Sequence, residues 1–350
     1  MVISSGRKSL RDIKMFKNGL TVGKFMPLHK GHELMLEVAV RNCSESLTIL
    51  LDHSSNNIYP FNMRSKWIRD FLGSISTNIT VYVYPDTIPD RFLDCQKDSN
   101  GTIIDLEFWS YWLATHKSVL SRIDGVFTSD VYGKVVASMI GAQWFPADPD
   151  REVYNISATE IREREYTAFN YVSDFAKPDV GRTICVVGAE STGKSTLVKR
   201  LAKYFDSAYA PEWGRIVSEN KTPLTSDDFT NIVNMQKLFI KKAQLQSHLS
   251  FADTDATITA MFAPIYLGHR HQYAEDVSAY QPTINEYIII APTVPFVNDG
   301  TRVLNQAQRE RFHSELVQRI RLTGKPYCVI NDTEFKDREK RAIEFVMKGK

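Results

Sequence analysis

The chain has 350 residues, 43% hydrophobic and 24% charged, which is room for two ordinary domains. This is the balance of a globular protein with no low-complexity tract, and it excludes a disordered or fibrous chain. A formal net charge of +2 is too small to demand a polyanionic partner.

The opening segment is basic at Arg7, Lys8, Arg11, Lys14 and Lys17. It reads as a nucleic-acid arm or as a frayed terminus, and its lack of length and of interleaved aromatics favours the terminus. An N-terminal apolar h-region of the signal-peptide kind is missing, and the most apolar runs, Leu47–Leu51 and Tyr287–Ala291, are strand-sized. The four cysteines, Cys43, Cys95, Cys185 and Cys328, form no CxxC pair and read as reduced thiols. A soluble, cytoplasmic protein without a membrane segment is expected.

Strands are predicted at Leu20–Val22, Leu47–Leu51, Ile79–Tyr84, Gly125–Thr128 and Gln143–Phe145. Helical patterns at 32–43, 61–72, 105–121 and 131–140 lie between them, which is the βαβ order of a parallel sheet. Between the first strand and first helix stands "GKFMPLHKGH", residues 23–32. A zinc site would need a third and fourth ligand beside His29 and His32, and only His53 is nearby. A phosphate-binding turn fits the position better, because helix N-termini favour anions. Farther on, "NISATEIRE" (155–163) pairs Ser157 with Glu160 at capping-box spacing. Thr159 and Arg162 add a hydroxyl and a guanidinium to the same helix start, a set suited to gripping phosphates.

The segment 168–182 breaks the pattern at Pro178 and Gly181, so domains are expected over 19–178 and 179–350, after an extension at 1–18. A second series opens with "TICVVG" (183–188) and continues with strands near 249–253, 286–291 and 326–330. "GAESTGKST" (188–196) fits G-x-x-x-x-G-K-[ST] between a β-branched strand and an amphipathic helix. Gly188, Glu190, Ser191, Thr192, Gly193 and Thr196 then form a loop whose backbone donors converge on phosphates. Lys194 reaches the β- and γ-phosphates, and Ser195 is placed to ligate Mg²⁺. Asp253 and Asp255 end a strand, where a carboxylate holds Mg²⁺, accepts a proton or caps the next helix. "PEWGR" (211–215) offers Glu212, Trp213 and Arg215 to a small polar aromatic substrate, with Trp213 as core the alternative. The loop 291–304, with Asp299 and Arg302, reads equally as a lid or as an ordinary surface loop.

G-x-F-x-P-x-H-x-G-H and I-S-x-T-x-I-R together resemble the paired motifs of the nucleotidylyltransferase superfamily, which has a Rossmann-like fold. A P-loop kinase following such a domain is similar to the bifunctional nicotinamide-mononucleotide adenylyltransferase/ribosylnicotinamide kinase family, the NadR type. The resemblance implies an α/β chain with two parallel-sheet domains, ATP as co-substrate and Mg²⁺ as cofactor. It further implies that the second domain phosphorylates nicotinamide riboside and the first converts the mononucleotide (NMN) and ATP to NAD and pyrophosphate. His29, His32 and Arg162 would stabilise adenylyl transfer, with Gly23, Lys24, Phe25, Gly31, Ser157 and Thr159 around the nucleotide. Ser129 and Asp130 would lie near adenine and ribose, and Arg64 is a weaker candidate. In the kinase, Lys194 and Arg302 would serve the phosphates, Ser195 and Asp253 the metal, and Asp253 or Asp255 the proton; Glu212, Trp213 and Arg215 would become substrate residues. Some members carry a helix-turn-helix, for which about 18 leading residues are too few, so no DNA partner is expected. A homo-oligomer is compatible with the sequence. The alternatives are a chain in which one activity dominates, and a sensor of NAD or ATP.

Overall fold

Successive side chains on a strand face opposite sides of its sheet, so a strand that is apolar throughout must be covered on both faces. β1 (Phe16–Gly23), β2 (Cys43–Asp52), β3 (Thr80–Asp86), β4 (Gly125–Thr128) and β5 (Gln143–Pro146) belong to one sheet. β6 (Arg182–Gly188), β7 (Ala208–Ala210), β8 (Leu249–Asp253), β9 (Glu286–Ile290) and β10 (Tyr327–Ile330) belong to another. The computed structural model describes residues 15–75, 78–97, 103–220, 223–293 and 304–349. It divides into two compact units, Met1–Ala176 and Lys177–Lys350.

In unit one all strand pairs are parallel, in the order β3-β2-β1-β4-β5. Helices Lys30–Asn42, Phe61–Ser74, Leu106–Leu120 and Tyr132–Ile140 stand where helical periodicity places them. β1 starts at Phe16, earlier than expected, because the Phe16 ring packs edge-on against Phe127 at 5.4 Å and Phe145 at 6.3 Å. The expected extension over 1–18 therefore gives its last three residues to the sheet. From β1 the chain winds outward through β2 and β3, then returns to the other side for β4 and β5. That reversal opens a crevice at the carboxyl ends of β1 and β4. Gly23 and Lys24 leave β1 there, and Ser129 and Asp130 leave β4 there.

In unit two the parallel order is β10-β9-β6-β8-β7. Alternation sorts the core: Cys185, Val187, Tyr287 and Ile289 join one apolar cluster, which includes Ile240, Met261 and Leu316 from covering helices. Ile184, Val186, Ile288 and Ile290 join the cluster on the opposite face with Leu197, Leu201, Ala342 and Val346. The three-residue β7 is too short to show alternation, yet it pairs with β8 through Ala210 and Ala252. β6 thus lies at the centre, with the stretch 188–196 at its carboxyl end. Among the described residues no helix is long and apolar enough to cross a membrane.

Close packing at the crevice predicts one sensitive glycine. A Cβ on Gly133 would lie 1.9 Å from Thr128 Oγ1, which itself donates to the Asp130 carbonyl at 2.9 Å and accepts from Trp144 Nε1 at 3.0 Å. Gly133→Ala should destabilise unit one by about 1–3 kcal/mol, read from urea unfolding.

Candidate functional sites

The stretch after β1 is shaped by its backbone. Phe25 sits at φ +48 with its ring buried against His32 at 4.6 Å, and the Met26–Pro27 peptide is cis. His29 caps the helix Lys30–Asn42, its Nδ1 accepting from the Gly31 N–H at 3.2 Å. The two imidazoles stack at 3.7 Å. Burial, reinforced by Arg151, lowers His29 to about 4. Burial also lowers His32 well below the usual histidine value, followed by the neighbouring His29. Both rings are therefore neutral at pH 7, and among the described residues His32 Nδ1 is a buried atom without a hydrogen-bond partner. With Nδ1 of His29 occupied as an acceptor, its proton belongs on Nε2.

These residues border a cavity of about 410 Å³. Gly23, Lys24, Phe25, His29, Gly31, His32, Ser129, Asp130, Ser157 and Thr159 all line it. The capping box is formed, with Ser157 Oγ accepting from the Glu160 N–H and Glu160 accepting from the Ser157 N–H. Arg162 is not part of the wall: it donates to the Met26 carbonyl at 2.6 Å and to the Thr159 hydroxyl at 3.0 Å, tying the two motifs together. Arg64 is also absent from the wall. It is fully buried and donates to the carbonyls of Tyr59, Lys24 and Asp52 at 2.8, 2.5 and 2.7 Å, so it shapes the loop from behind instead of meeting a phosphate.

Sequence reasoning missed Arg151. It follows β5, reaches Asp130 at 3.2 Å, lines the cavity and acts electrostatically on both histidines. It also missed the aromatic end, where Trp109 and Trp112 meet the cavity. Buried Asp86 there accepts from Trp112 Nε1 at 3.1 Å and bonds His116 Nε2 at 2.9 Å. Among the described residues no group of three or more His, Cys, Asp or Glu side chains is arranged to hold a metal ion.

In unit two the stretch 188–196 joins β6 to the helix Lys194–Tyr204. Gly193 needs its glycine, at φ +85, and a Cβ on Gly188 would meet the Ile290 carbonyl at 2.7 Å. Lys194 is buried and its Nζ donates to the Ala189 carbonyl at 3.0 Å. A cavity of about 360 Å³ is lined by Glu190 through Thr196, Glu212, Arg215 and Gln236, with Phe262 and Tyr266 on its apolar side. Arg338, 2% exposed, donates to the Thr192 carbonyl at 2.9 Å, the Asp332 carbonyl at 2.5 Å and Thr293 Oγ1 at 2.7 Å. Buried Arg309 donates to the Glu190 carbonyl at 3.1 Å.

The structure separates the two aspartates that the sequence left equivalent. Asp255 caps the helix Ala256–Leu267 and accepts from the Thr257 N–H at 2.9 Å, Gln281 at 2.8 Å and Tyr287 Oη at 2.8 Å. Its oxygens are consumed by the fold, which removes it as a catalytic candidate. Asp253 pairs in register with Val186, accepts from the Ser195 hydroxyl, and keeps Oδ1 buried without a partner among the described residues. Burial raises the pKa of both Asp253 and Glu212, while Lys194 opposes the shift in each. Trp213 is corrected as well: its ring packs on Phe239 at 5.4 Å and it does not line the cavity. Arg302 lies outside the described residues.

Residues 183–338 match the AAA domain family model. The chain is 26% identical to the trifunctional NAD biosynthesis/regulator protein NadR of Salmonella typhimurium, over 94% of its own length and 82% of the relative's. The NadR of Escherichia coli is 25% identical over the same shares. The chain is homologous to NadR. A crystal structure of NadR with NR aligns at TM-score 0.64 and 20% identity, covering 95% of this chain and 96% of that one. A NadR structure with NAD and AMP-PNP aligns at TM-score 0.62 and 20% identity, covering 96% and 97%. NadR therefore shares the two-sheet α/β fold described above.

Two outcomes follow from the site geometry. Arg338→Met should cost about 3 kcal/mol or more in urea unfolding, because it leaves buried carbonyls without donors. The unfolded His29 ring titrates near 6.5 and the folded one near 4, so the unfolded chain binds more protons in between. The stabilisation from keeping His29 neutral is complete above about pH 6.5 and is lost as pH falls through about 4, by at most about 3 kcal/mol. His29→Gln should flatten the fall in unfolding free energy between pH 7 and pH 4.5.

Proposed function

We propose that the chain is a bifunctional enzyme of NAD synthesis. At the P-loop cavity it phosphorylates nicotinamide riboside with ATP, and at the cavity of unit one it joins the resulting mononucleotide to the adenylyl part of a second ATP. One observation carries the reading. Two phosphate-binding loops of different construction, each at the carboxyl edge of its own parallel sheet, open into ligand-sized cavities of about 360 and 410 Å³. The NadR relatives align across both.

In adenylyl transfer the mononucleotide's phosphate oxygen attacks the α-phosphorus of ATP and pyrophosphate leaves. The nucleophile is already an anion, so the protein's task is alignment and charge stabilisation. The neutral histidines suit this task, since an incoming phosphate favours their protonated forms and makes His32 Nδ1 a donor. Lys24 and Arg151 supply fixed positive charge, and Arg162 holds the loop against Thr159.

In the kinase reaction the backbone donors of 188–196 and the Lys194 ammonium neutralise the transferring phosphoryl group. The Ser195 hydroxyl and Asp253 Oδ1, which has no hydrogen-bond partner among the described residues, would hold a Mg²⁺ ion. When bound, that ion would supply positive charge to the transferring phosphoryl group. The apolar side of the cavity, with Phe262 and Tyr266, suits the riboside's ring.

Purified chain given nicotinamide riboside and Mg-ATP should form NAD, followed by chromatography. Lys194→Ala should slow riboside phosphorylation ~100-fold or more while leaving adenylyl transfer from supplied mononucleotide intact. His32→Ala should do the reverse, by a comparable factor. Tight binding of ATP and NAD without any turnover would instead support a sensor.

A further inference from the structure

The aromatic end of the unit-one cavity carries a buried acid. β3 pairs with β2 and β2 with β1, so that Asp86 is level with Asp52 and Leu51 with Gly23. A strand spacing of about 4.8 Å therefore sets the Asp86 backbone roughly 10 Å along the sheet edge from the stretch 23–32. Ser129 and Asp130 leave β4 on the other side of β1. Asp86 is 3% exposed and lines the cavity with Phe108, Trp109 and Trp112.

Trp112 Nε1 donates to both Asp86 oxygens at 3.1 Å, and Oδ1 also bonds His116 Nε2 at 2.9 Å. Trp109 Nε1 donates to the Ile103 carbonyl at 2.8 Å, and the two indoles meet edge-on at 5.7 Å. These bonds fix the indole rings without bringing a lysine or arginine to the acid. Among the described residues neither type forms an ion pair with Asp86, and Lys97, which also lines the cavity, is exposed to solvent. The charge of Asp86 is felt at the cavity wall: burial pushes the Tyr132 hydroxyl well up, and Asp130 and Asp86 add to the shift. A buried carboxylate beside aromatic side chains favours a flat cation over a neutral ring.

We propose that Asp86 is the counter-ion of the substrate's pyridinium ring in unit one, and that it makes this cavity selective for ring charge. The inference rests on the adenylyl-transfer reading given above. The ring nitrogen of the mononucleotide is bonded to ribose and quaternary, so the ring is positive at every pH. Reduction to the dihydropyridine removes that charge with almost no change of outline. Apolar contact with Trp109 and Trp112 serves both rings, whereas only the pyridinium is attracted by their π-electrons and by Asp86. The reacting phosphate is at the far end of the mononucleotide from the ring, so the effect falls on binding and not on the transfer step.

Adenylyl transfer from the oxidised and the reduced mononucleotide should be compared in the full chain and in its Asp86→Asn, Asp86→Glu and His116→Gln variants. Each mononucleotide is titrated at saturating Mg-ATP, and the urea midpoint is recorded. The parent should favour the oxidised form ~10-fold or more in kcat/KM, mainly through KM. Asp86→Asn keeps the shape and removes the charge; it should raise KM for the oxidised form ~10-fold while leaving the reduced form within about threefold. His116→Gln leaves the carboxylate in place and should retain the preference. A purely structural role would weaken both forms alike. Equal use of the two forms by the parent would overturn the assignment, as would a preference that survives Asp86→Asn or is lost with His116→Gln alone. If Asp86→Asn fails to fold, Asp86→Glu with an unchanged midpoint and a lost preference would overturn it equally. A parent that makes no dinucleotide from either form would sink the adenylyl-transfer reading itself, whereas equal turnover of both forms sinks only the role of Asp86.

Discussion

A loop that turns its amide hydrogens toward an anion must turn carbonyls toward the protein, and a buried carbonyl has to find a donor. Both units meet this constraint with buried arginines. Arg64 holds the Lys24 carbonyl within the stretch 23–32 and ties it to Asp52 and Tyr59. Arg338 and Arg309 hold the Thr192 and Glu190 carbonyls of the second. A guanidinium suits the role because one rigid fork serves several oxygens at once, and it remains charged when buried. The glycines give each loop its conformation; the arginines keep that conformation from collapsing when no ligand is present.

The same buried surroundings keep the loops' functional charges muted until a ligand arrives. Burial, reinforced by the Arg151 guanidinium in the cavity they share, holds His29 and His32 neutral. Lys194 rests on its own loop's carbonyl and lies close to Asp253 and Glu212. In the proposed reactions an incoming polyphosphate would replace those temporary partners, so its charge would be met by groups that need little rearrangement.

Much of this was legible in the sequence because the signals are local. The strand–loop–helix order around 23–32 and around 188–196, the Ser157–Glu160 capping box and the alternating apolar strands each depend on near neighbours in the chain. What escaped depends on distant ones. β7 is too short to carry a period, and Arg151 follows a strand with nothing but its position at the sheet edge to mark it. Asp253 and Asp255 are two residues apart and chemically alike; only Tyr287 and Gln281, brought from other elements, show that Asp255 is structural. The arginine struts did leave a trace. Arg338 shares a helix face with Ala342 and Val346, and Arg309 shares one with Phe312, Leu316 and Ile320, all buried. A charged residue on an apolar stripe is a request for buried oxygens, and helical spacing alone is enough to reveal it.

The contrast between the two cavities follows from the charge of the proposed nucleophile. A phosphate monoester attacks without surrendering a proton, and in unit one the aspartates that line the cavity are engaged by the protein: Asp52 by Ser54 and Asn57, Asp86 by Trp112 and His116, Asp130 by Arg151, and Asp148 by the Val153 and Tyr154 N–H groups. A ribose hydroxyl attacks only while losing its proton, and unit two brings carboxylates to the same edge as its lysine. A carboxylate left without such partners repels phosphates it stands near, a cost that is offset where a metal or a proton needs an acceptor.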